Sequence, residues 1–370
     1  MTFYTAFLYA FIIGIYICAF YNKSELANKF FYYLFLLIYF LLVTFRPLEF
    51  SDTYNYADVF NRMQRDYHFT SASSGIFGKD LYWAIEIGYF ELIKFVKFYL
   101  VNNYRVFFGI VTFLAILLNQ FYLRYYQYKS YRNDILYFYF MLPYLGYAYS
   151  MIYMRTFLAL SLCLAAFYLI EDKGKKPQCL VGGFLLYLVA FLIHRTIIIF
   201  IIVEIIYHFS PALKRTIYRV LWIISGVLLL FRNAGSYDRI QNSITKVLRY
   251  FSFLSYDHYY QGQTAFASAI SIRAIFFWLI GGLILLNFDN IINNRVQKQL
   301  LVYYVGLIVM CVMSYTRGGS RVYDFFLWSL PPILTEIYTN GTASRMKAVV
   351  LLGVAISYGL LGTTIVINMI

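Results

Sequence analysis

Residues 30–45 read FFYYLFLLIYFLLVTF, an apolar run that contains no charged residue. Runs of this kind recur along the 370-residue chain, which is 62% hydrophobic and only 13% charged. A soluble domain of this size does not need so much apolar surface, whereas a helix of about 20 apolar residues crosses a bilayer. The sequence therefore predicts an all-α protein that passes through a membrane many times.

Window hydropathy predicts about twelve transmembrane helices. The apolar runs begin near Phe3, Phe30, Arg105, Ile135, Arg155, Cys179, Thr196, Ile217, Ser271, Leu300, Val322 and Ala348. No repeat, soluble domain or low-complexity linker stands out along the chain. We therefore expect one transmembrane domain that covers residues 1–370.

The short polar links between these runs set the orientation. Links such as EDKGKKPQ (171–178) are rich in lysine and alternate with the other connections, so the positive-inside rule places them in the cytoplasm. Two long extracytoplasmic loops then cover about 46–104 and 232–270. We expect short interfacial helices in them, above all at WAIEIGYFELIKFVKFYL (83–100).

The net charge and the cysteine positions indicate which ligands the protein could bind. The net charge of +14 in a membrane chain indicates inner loops plus an anionic ligand or lipid surface, and we expect no nucleic acid. The four cysteines lie in or beside apolar runs without CxxC spacing, so neither a disulfide framework nor a zinc site is expected.

Arginines collect at the predicted outer ends of the helices. Ionisable groups at membrane depth are costly and mark functional sites, and the guanidinium fork grips phosphate or carboxylate through two hydrogen bonds. Snorkelling to water or lipid phosphate is the alternative for any one of them. The candidates for a shared anion site are Arg46, Arg155, Arg273, Arg317 and Arg321.

The segment RGGSRVYD (317–324) has helical spacing. Arg317, Arg321 and Asp324 fall on one stripe at i, i+4 and i+7. This stripe predicts a cationic surface for an anion, although Arg321 and Asp324 could also neutralise each other.

Three residues are candidates for a general base: Asp52, His194 and Glu86, with Asp52 the first choice and Glu86 the third. Each could accept a hydroxyl proton near neutral pH. Glu204 and His208, four residues apart, are interpreted as a structural pair and left outside the site.

Tyrosines accompany these groups in both long loops. Tyr54 and Tyr56 follow Asp52, and the second loop contains RYFSFLSYDHYYQGQ (249–263) with Tyr256, Tyr259 and Tyr260. Such rings suit the apolar faces of sugars, and an interfacial aromatic belt is the alternative.

Several landmarks occur in order along the chain: FSDTYNYADVF (50–60) after Arg46, EIGYFELI (86–93), YMRTFLALSLCLAAFYLI (153–170), AFLIHRTIIIF (190–200) and RGGSRVYDFF (317–326). Their succession resembles that of the EpsG/Wzy-like polysaccharide polymerases, over about residues 1–340. Ser51 and Thr156 stand where that family often has glycine and glutamine.

The resemblance implies a glycosyltransferase of the bacterial cytoplasmic membrane with a glycosyltransferase C-like fold. Its substrate would be oligosaccharide repeat units on undecaprenyl diphosphate, joined at the outer face, with the arginines holding the diphosphate. A chain-length regulator, a flippase and membrane lipid are the expected partners. Without a DxD motif we expect no cofactor, and a divalent metal is left open.

Three other functions stay open. A flippase or transporter for the same lipid-linked sugar would favour duplicated halves and charges near the membrane centre. A membrane acyltransferase would place its histidine near the inner face. An O-antigen ligase-like glycan transferase uses the same residue types as a polymerase, and the sequence does not separate the two.

Overall fold

The structure is a computed structural model, and it describes eleven stretches of the chain. These are residues 2–21, 24–48, 51–66, 86–126, 130–146, 150–151, 153–173, 176–211, 213–230, 272–313 and 319–341. The second long loop, Arg317 and the predicted last helix near Ala348 lie outside them. The chain divides into two compact units, one of Met1–Ile198 with Ser357–Ile370 and one of Ile199–Ile356.

Within the described residues the secondary structure is helical and contains no strand. The first unit contains α1 Thr2–Tyr21, α2 Glu25–Thr44, α3 Ser51–Arg62, α4 Ile87–Phe95, α5 Tyr104–Tyr125, α6 Tyr131–Met141, α7 Met154–Lys173 and α8 Pro177–Ile193. The second contains α9 Ile198–His208, α10 Arg215–Leu230, α11 Ile272–Leu286, α12 Asn294–Met313, α13 Gly319–Leu327 and α14 Leu330–Asn340. Their order follows the predicted succession of apolar runs.

Four of the described helices are long and apolar enough to cross a membrane, namely Glu25–Thr44, Tyr104–Tyr125, Met154–Glu171 and Asn294–Val312. Two shorter apolar helices are Pro177–Ile193 and Arg273–Leu286. The all-helical class is thus confirmed for the described residues, and their long apolar helices are those of a membrane protein. The count of twelve, the single domain and the glycosyltransferase C-like arrangement stay predictions.

Local sequence signals explain where several helices begin. Ser24, Asn103 and Ser130 precede α2, α5 and α6 in extended backbone, and their side chains accept hydrogen bonds from first-turn amides. Pro177 opens α8, where its missing N–H costs nothing.

Helix α7 forms the core of the first unit. Its residues 157–167 are buried, and it packs closely against α5 and α8. Inside this apolar contact Asn119 on α5 donates a hydrogen bond of 2.8 Å to Ser161 on α7. The start of α7 is therefore rigidly placed, which matters because Arg155 is its second residue.

The stretch predicted as one interfacial helix has a more complex form. It begins as α4 and continues as a π-helix, Val96–Leu100. Tyr89, Phe90 and Ile93 are buried against protein, and α4 contacts α8. Its position relative to the membrane stays a prediction.

In the second unit two tryptophans join α10 to α11. The rings of Trp222 and Trp278 stack with centroids 4.5 Å apart, and each indole N–H donates to the other residue's carbonyl at 2.9 and 3.0 Å. A Cβ at Gly226 would lie 2.9 Å from the Trp278 ring, so the glycine makes room for the stack.

Candidate active site

Glu86 is the centre of a buried cluster in the first unit. Its Oε2 accepts a hydrogen bond of 2.6 Å from Nη1 of Arg155. Its Oε1 lies 2.8 Å from Nδ1 of His194 and accepts a weaker bond, 3.3 Å, from the backbone N–H of Arg195. One carboxylate thus joins two candidate residues that lie 69 and 108 positions further along the chain.

The ends of three helices bring these groups together. Glu86 immediately precedes α4, Arg155 lies in the first turn of α7, and His194 follows the last residue of α8 in extended backbone. Gly88 allows the approach, because a Cβ there would lie 2.8 Å from the backbone carbon of Leu192.

The cluster is buried, with side-chain exposures of 10% for Glu86 and Arg155 and 11% for His194. Burial by itself raises the pKa of the Glu86 carboxyl, but the charges of Arg155 and His194 together outweigh it and lower that pKa to about 2. Glu86 is therefore a permanent anion at neutral pH and a weak proton acceptor.

Two tyrosines lie beside this ion pair. The guanidinium carbon of Arg155 is 6.0 Å from the ring centroid of Tyr89, and the rings of Tyr89 and Tyr56 meet edge to face at 5.9 Å. Tyr56 comes from α3, so the first long loop supplies part of the site from two helices.

Arg46, predicted to bind an anion, is almost fully buried and makes several contacts with protein. Its Nε donates to the Thr53 hydroxyl at 2.9 Å, and its Nη1 donates to the Val43 carbonyl at 2.9 Å. Its Nη2 lies 3.4 Å from the sulfur of Met154, and its guanidinium covers the ring of Phe108 at 4.2 Å. These contacts tie the end of α2 to the start of α3.

Lys97 anchors the other end of α3. Its ammonium donates to three backbone carbonyls, those of Phe60, Asn61 and Met63, at 2.9, 2.7 and 2.8 Å. Cations at a helix C-terminus satisfy its last carbonyls and complement its dipole. Helix α3 is therefore held at both ends by cations from neighbouring segments.

Helix α3 presents the remaining candidates of the first loop. Asp52 lies in its first turn, beside Thr53, and the structure describes its backbone but not its side chain. Tyr54 is 59% exposed and Tyr56 is buried. Of the two tyrosines that the structure describes here, Tyr54 is therefore the one whose ring a sugar could reach. The other three candidates, Tyr256, Tyr259 and Tyr260, lie outside the described residues.

The second unit contains a separate buried ion pair. Arg273 on α11 donates from Nη2 to Oδ1 of Asp324 on α13, and its guanidinium lies 4.7 Å from the ring centroid of Tyr323. Arg321 lies on the same helix, and its side chain is not described. Arg317 lies outside the described residues.

Of the predicted site residues, Glu86, Arg155 and His194 meet in one cluster. The sequence did not indicate Tyr89, although it follows Glu86 by three positions on α4 and so shares its face. Nor did it indicate Thr53 and Met154, which contact Arg46.

In the described ranges no group of three or more His, Cys, Asp or Glu side chains could hold a metal ion, and metal independence stays a prediction.

Comparison with models of known protein families identifies the family of this chain. Residues 29–369 match the model of the EpsG family. Neither the curated proteins nor the solved structures contain a match to this chain.

Proposed function

The chain belongs to the EpsG family, and from this premise we propose that it is a polysaccharide polymerase of the bacterial cytoplasmic membrane. It joins oligosaccharide repeat units carried on undecaprenyl diphosphate, with the reacting groups at the outer face. The observation that carries the proposal is the buried cluster of Glu86, Arg155 and His194, where a fixed cation and an oriented imidazole lie side by side.

The proposed reaction transfers a glycosyl group. The bond between the anomeric carbon and the diphosphate oxygen breaks, and the diphosphate keeps the electron pair. A hydroxyl of the second lipid-linked unit forms the new glycosidic bond and gives its proton to a base. Since diphosphate is already a good leaving group, the protein mainly has to position the reactants, stabilise charge and accept that proton.

Arginine can stabilise the departing diphosphate. Arg155 and Arg321 are the first candidates, with Arg273, Arg317 and Arg46 in support. The contacts of Arg46 with Thr53 and Val43 favour a role in orienting the loop over direct binding of the diphosphate. Charge-assisted contacts from a guanidinium to phosphate are worth about twice a neutral hydrogen bond.

His194 is the base that this geometry favours. With the proton of the neutral imidazole on Nδ1, directed at Glu86, the lone pair lies on Nε2. Glu86 then orients the ring and stabilises the imidazolium that forms, as a carboxylate does for a catalytic histidine. Asp52 remains the alternative base, because its backbone lies at the start of α3 next to Tyr54.

The test uses purified protein in lipid discs with a lipid-linked repeat unit and measures the ladder of elongated products. His194→Ala should lower turnover by about 100-fold or more, since a general base contributes at least that factor. His208→Ala, an exposed histidine on α9, is the control and should elongate normally. Arg155→Lys keeps the charge but loses the fork and should also lose most activity.

Other results of this assay would assign a different base, a different function or a metal. Full turnover by His194→Ala with loss in Asp52→Asn would transfer the role of base to Asp52. Translocation without elongation would identify a flippase, and transfer of finished glycan to another lipid would identify a ligase. Activity that a chelator abolishes and a divalent ion restores would assign the charge stabilisation to a metal.

Orientation is tested separately. Single cysteines placed in EDKGKKPQ (171–178) and in SYDHYYQGQ (255–263) should differ in intact cells. An impermeant thiol reagent should label only the second, because the lysine-rich link is predicted to be cytoplasmic. Labelling of the first would overturn the outward-facing site.

A further inference from the structure

The hydroxyl group of Tyr89 differs from those of six other fully buried tyrosines. Six fully buried tyrosines, Tyr39, Tyr126, Tyr207, Tyr218, Tyr303 and Tyr304, each donate a hydrogen bond to a protein oxygen. Tyr89 is 0% exposed, yet among the described residues its hydroxyl has no hydrogen-bond partner. A buried donor without a partner is costly, and such groups in native proteins call for a functional explanation.

The location supplies that explanation. Tyr89 lies one helical turn after Glu86 on α4, and the Arg155 guanidinium lies 6.0 Å from its ring centroid. A neutral O–H donor and a guanidinium side by side form a binding arrangement for an anion with several oxygens.

The ring itself is not available as a sugar platform. Its edge-to-face contacts with Tyr56 at 5.9 Å and Phe107 at 5.8 Å fix it inside the protein. The hydroxyl is therefore the part of Tyr89 that can act on a ligand, and a hydrogen bond to an oxygen atom is what it can contribute.

We propose that the Tyr89 hydroxyl donates a hydrogen bond to a phosphate oxygen of the lipid diphosphate bound at Arg155. This inference rests on the proposed function for the identity of the ligand. On this proposal the ligand oxygen reaches the hydroxyl from the edge where Arg155 and His194 keep about a tenth of their side chains exposed.

Tyr89→Phe removes the hydroxyl and nothing else, and the expected effects on binding and stability have different signs. The variant should bind a polyprenyl diphosphate without sugar about tenfold more weakly, as expected for the loss of one charge-assisted hydrogen bond. Its melting temperature should be unchanged or higher, because it no longer buries an unsatisfied donor. The control Tyr39→Phe loses the bond to the Gly146 carbonyl, 2.9 Å in length, and should melt earlier.

Four results contradict the inference, and the last of them also contradicts the proposed function. Equal binding of polyprenyl diphosphate by wild type and Tyr89→Phe shows that the hydroxyl does not contact the ligand. A lower melting temperature for Tyr89→Phe shows a structural partner instead. An equal loss of affinity for a polyprenyl alcohol, which has no phosphate, shows a contact elsewhere. Wild type that binds no polyprenyl diphosphate refutes the proposed donor, and with it the proposed function.

Discussion

Replacing Glu86 with glutamine is expected to destabilise the protein by about 3 kcal/mol or more and to abolish elongation. Glutamine keeps the size of the side chain but removes the negative charge that neutralises Arg155 at 2.6 Å. A buried cation without its counter-ion is far more costly than the loss of one hydrogen bond. Chemical unfolding in detergent, followed by tryptophan fluorescence, measures the change.

Two controls define this result. Glu91→Gln changes an exposed carboxylate on α4, the helix that follows Glu86, and should alter the free energy of unfolding by no more than about 0.5 kcal/mol. Glu86→Gln combined with Arg155→Met removes both charges and should be more stable than Glu86→Gln alone. A double variant less stable than either single variant would show that the pair does not couple.

The Glu86 carboxylate also makes the stability of the protein depend on pH. The pKa of Glu86 is lowered from 4.5 to about 2, so its ion pairs add stability above pH 4.5 and lose it as the pH falls towards 2. On the acid side, the stability difference between wild type and Glu86→Gln should therefore shrink as the pH falls below about 5. A difference that stayed constant down to pH 2 would contradict the lowered pKa.

Gly88→Ala is expected to destroy activity by moving α4 away from α8. The new Cβ would meet three backbone atoms, the carbon and oxygen of Leu192 and the nitrogen of Ile193, at 2.8, 2.9 and 3.0 Å. Backbone atoms cannot rotate aside as a side chain can, so the helices must separate and the contact of 2.8 Å between Glu86 and His194 must lengthen. Overpacking of this kind costs about 1–3 kcal/mol.

Gly14→Ala is the matched control for this prediction. It also adds one methyl group to an apolar helix of the first unit, and a Cβ there has no atom within 4 Å. The control should retain activity and stability. Normal elongation by well-expressed Gly88→Ala would show that the close approach of α4 to α8 does not set the geometry of the cluster.

Hydropathy predicted the class of fold and the order of the helices, because long apolar runs leave few alternatives in a bilayer. The candidate list contained Glu86, Arg155 and His194, since each is an ionisable residue beside such a run. Their pairing could not be predicted, because 69 and 108 residues separate Glu86 from its two partners and only tertiary packing brings them together. The contacts of Arg46 with Thr53 and Met154 depend on packing in the same way.

The pKa of Glu86 shows why the sequence could indicate which residues belong to the site but not which of them accepts a proton. From the sequence, Asp52 was the first candidate for the base, His194 the second and Glu86 the third. Burial raises the pKa of the carboxyl, but the Arg155 guanidinium and the hydrogen bond from His194 outweigh it and make the carboxylate a weak base. The same hydrogen bond orients the imidazole, which under the proposed function is the base in its neutral form.

The anchoring of α3 by Lys97 has a consequence for how this loop can evolve. The ammonium binds main-chain carbonyls of Phe60, Asn61 and Met63, and every amino acid provides a main-chain carbonyl. Mutations along the exposed side of α3, including Tyr54, can therefore accumulate without releasing the helix. Under the proposed function, such changes alter which sugars that surface accepts and leave the contacts of Glu86 with Arg155 and His194 intact.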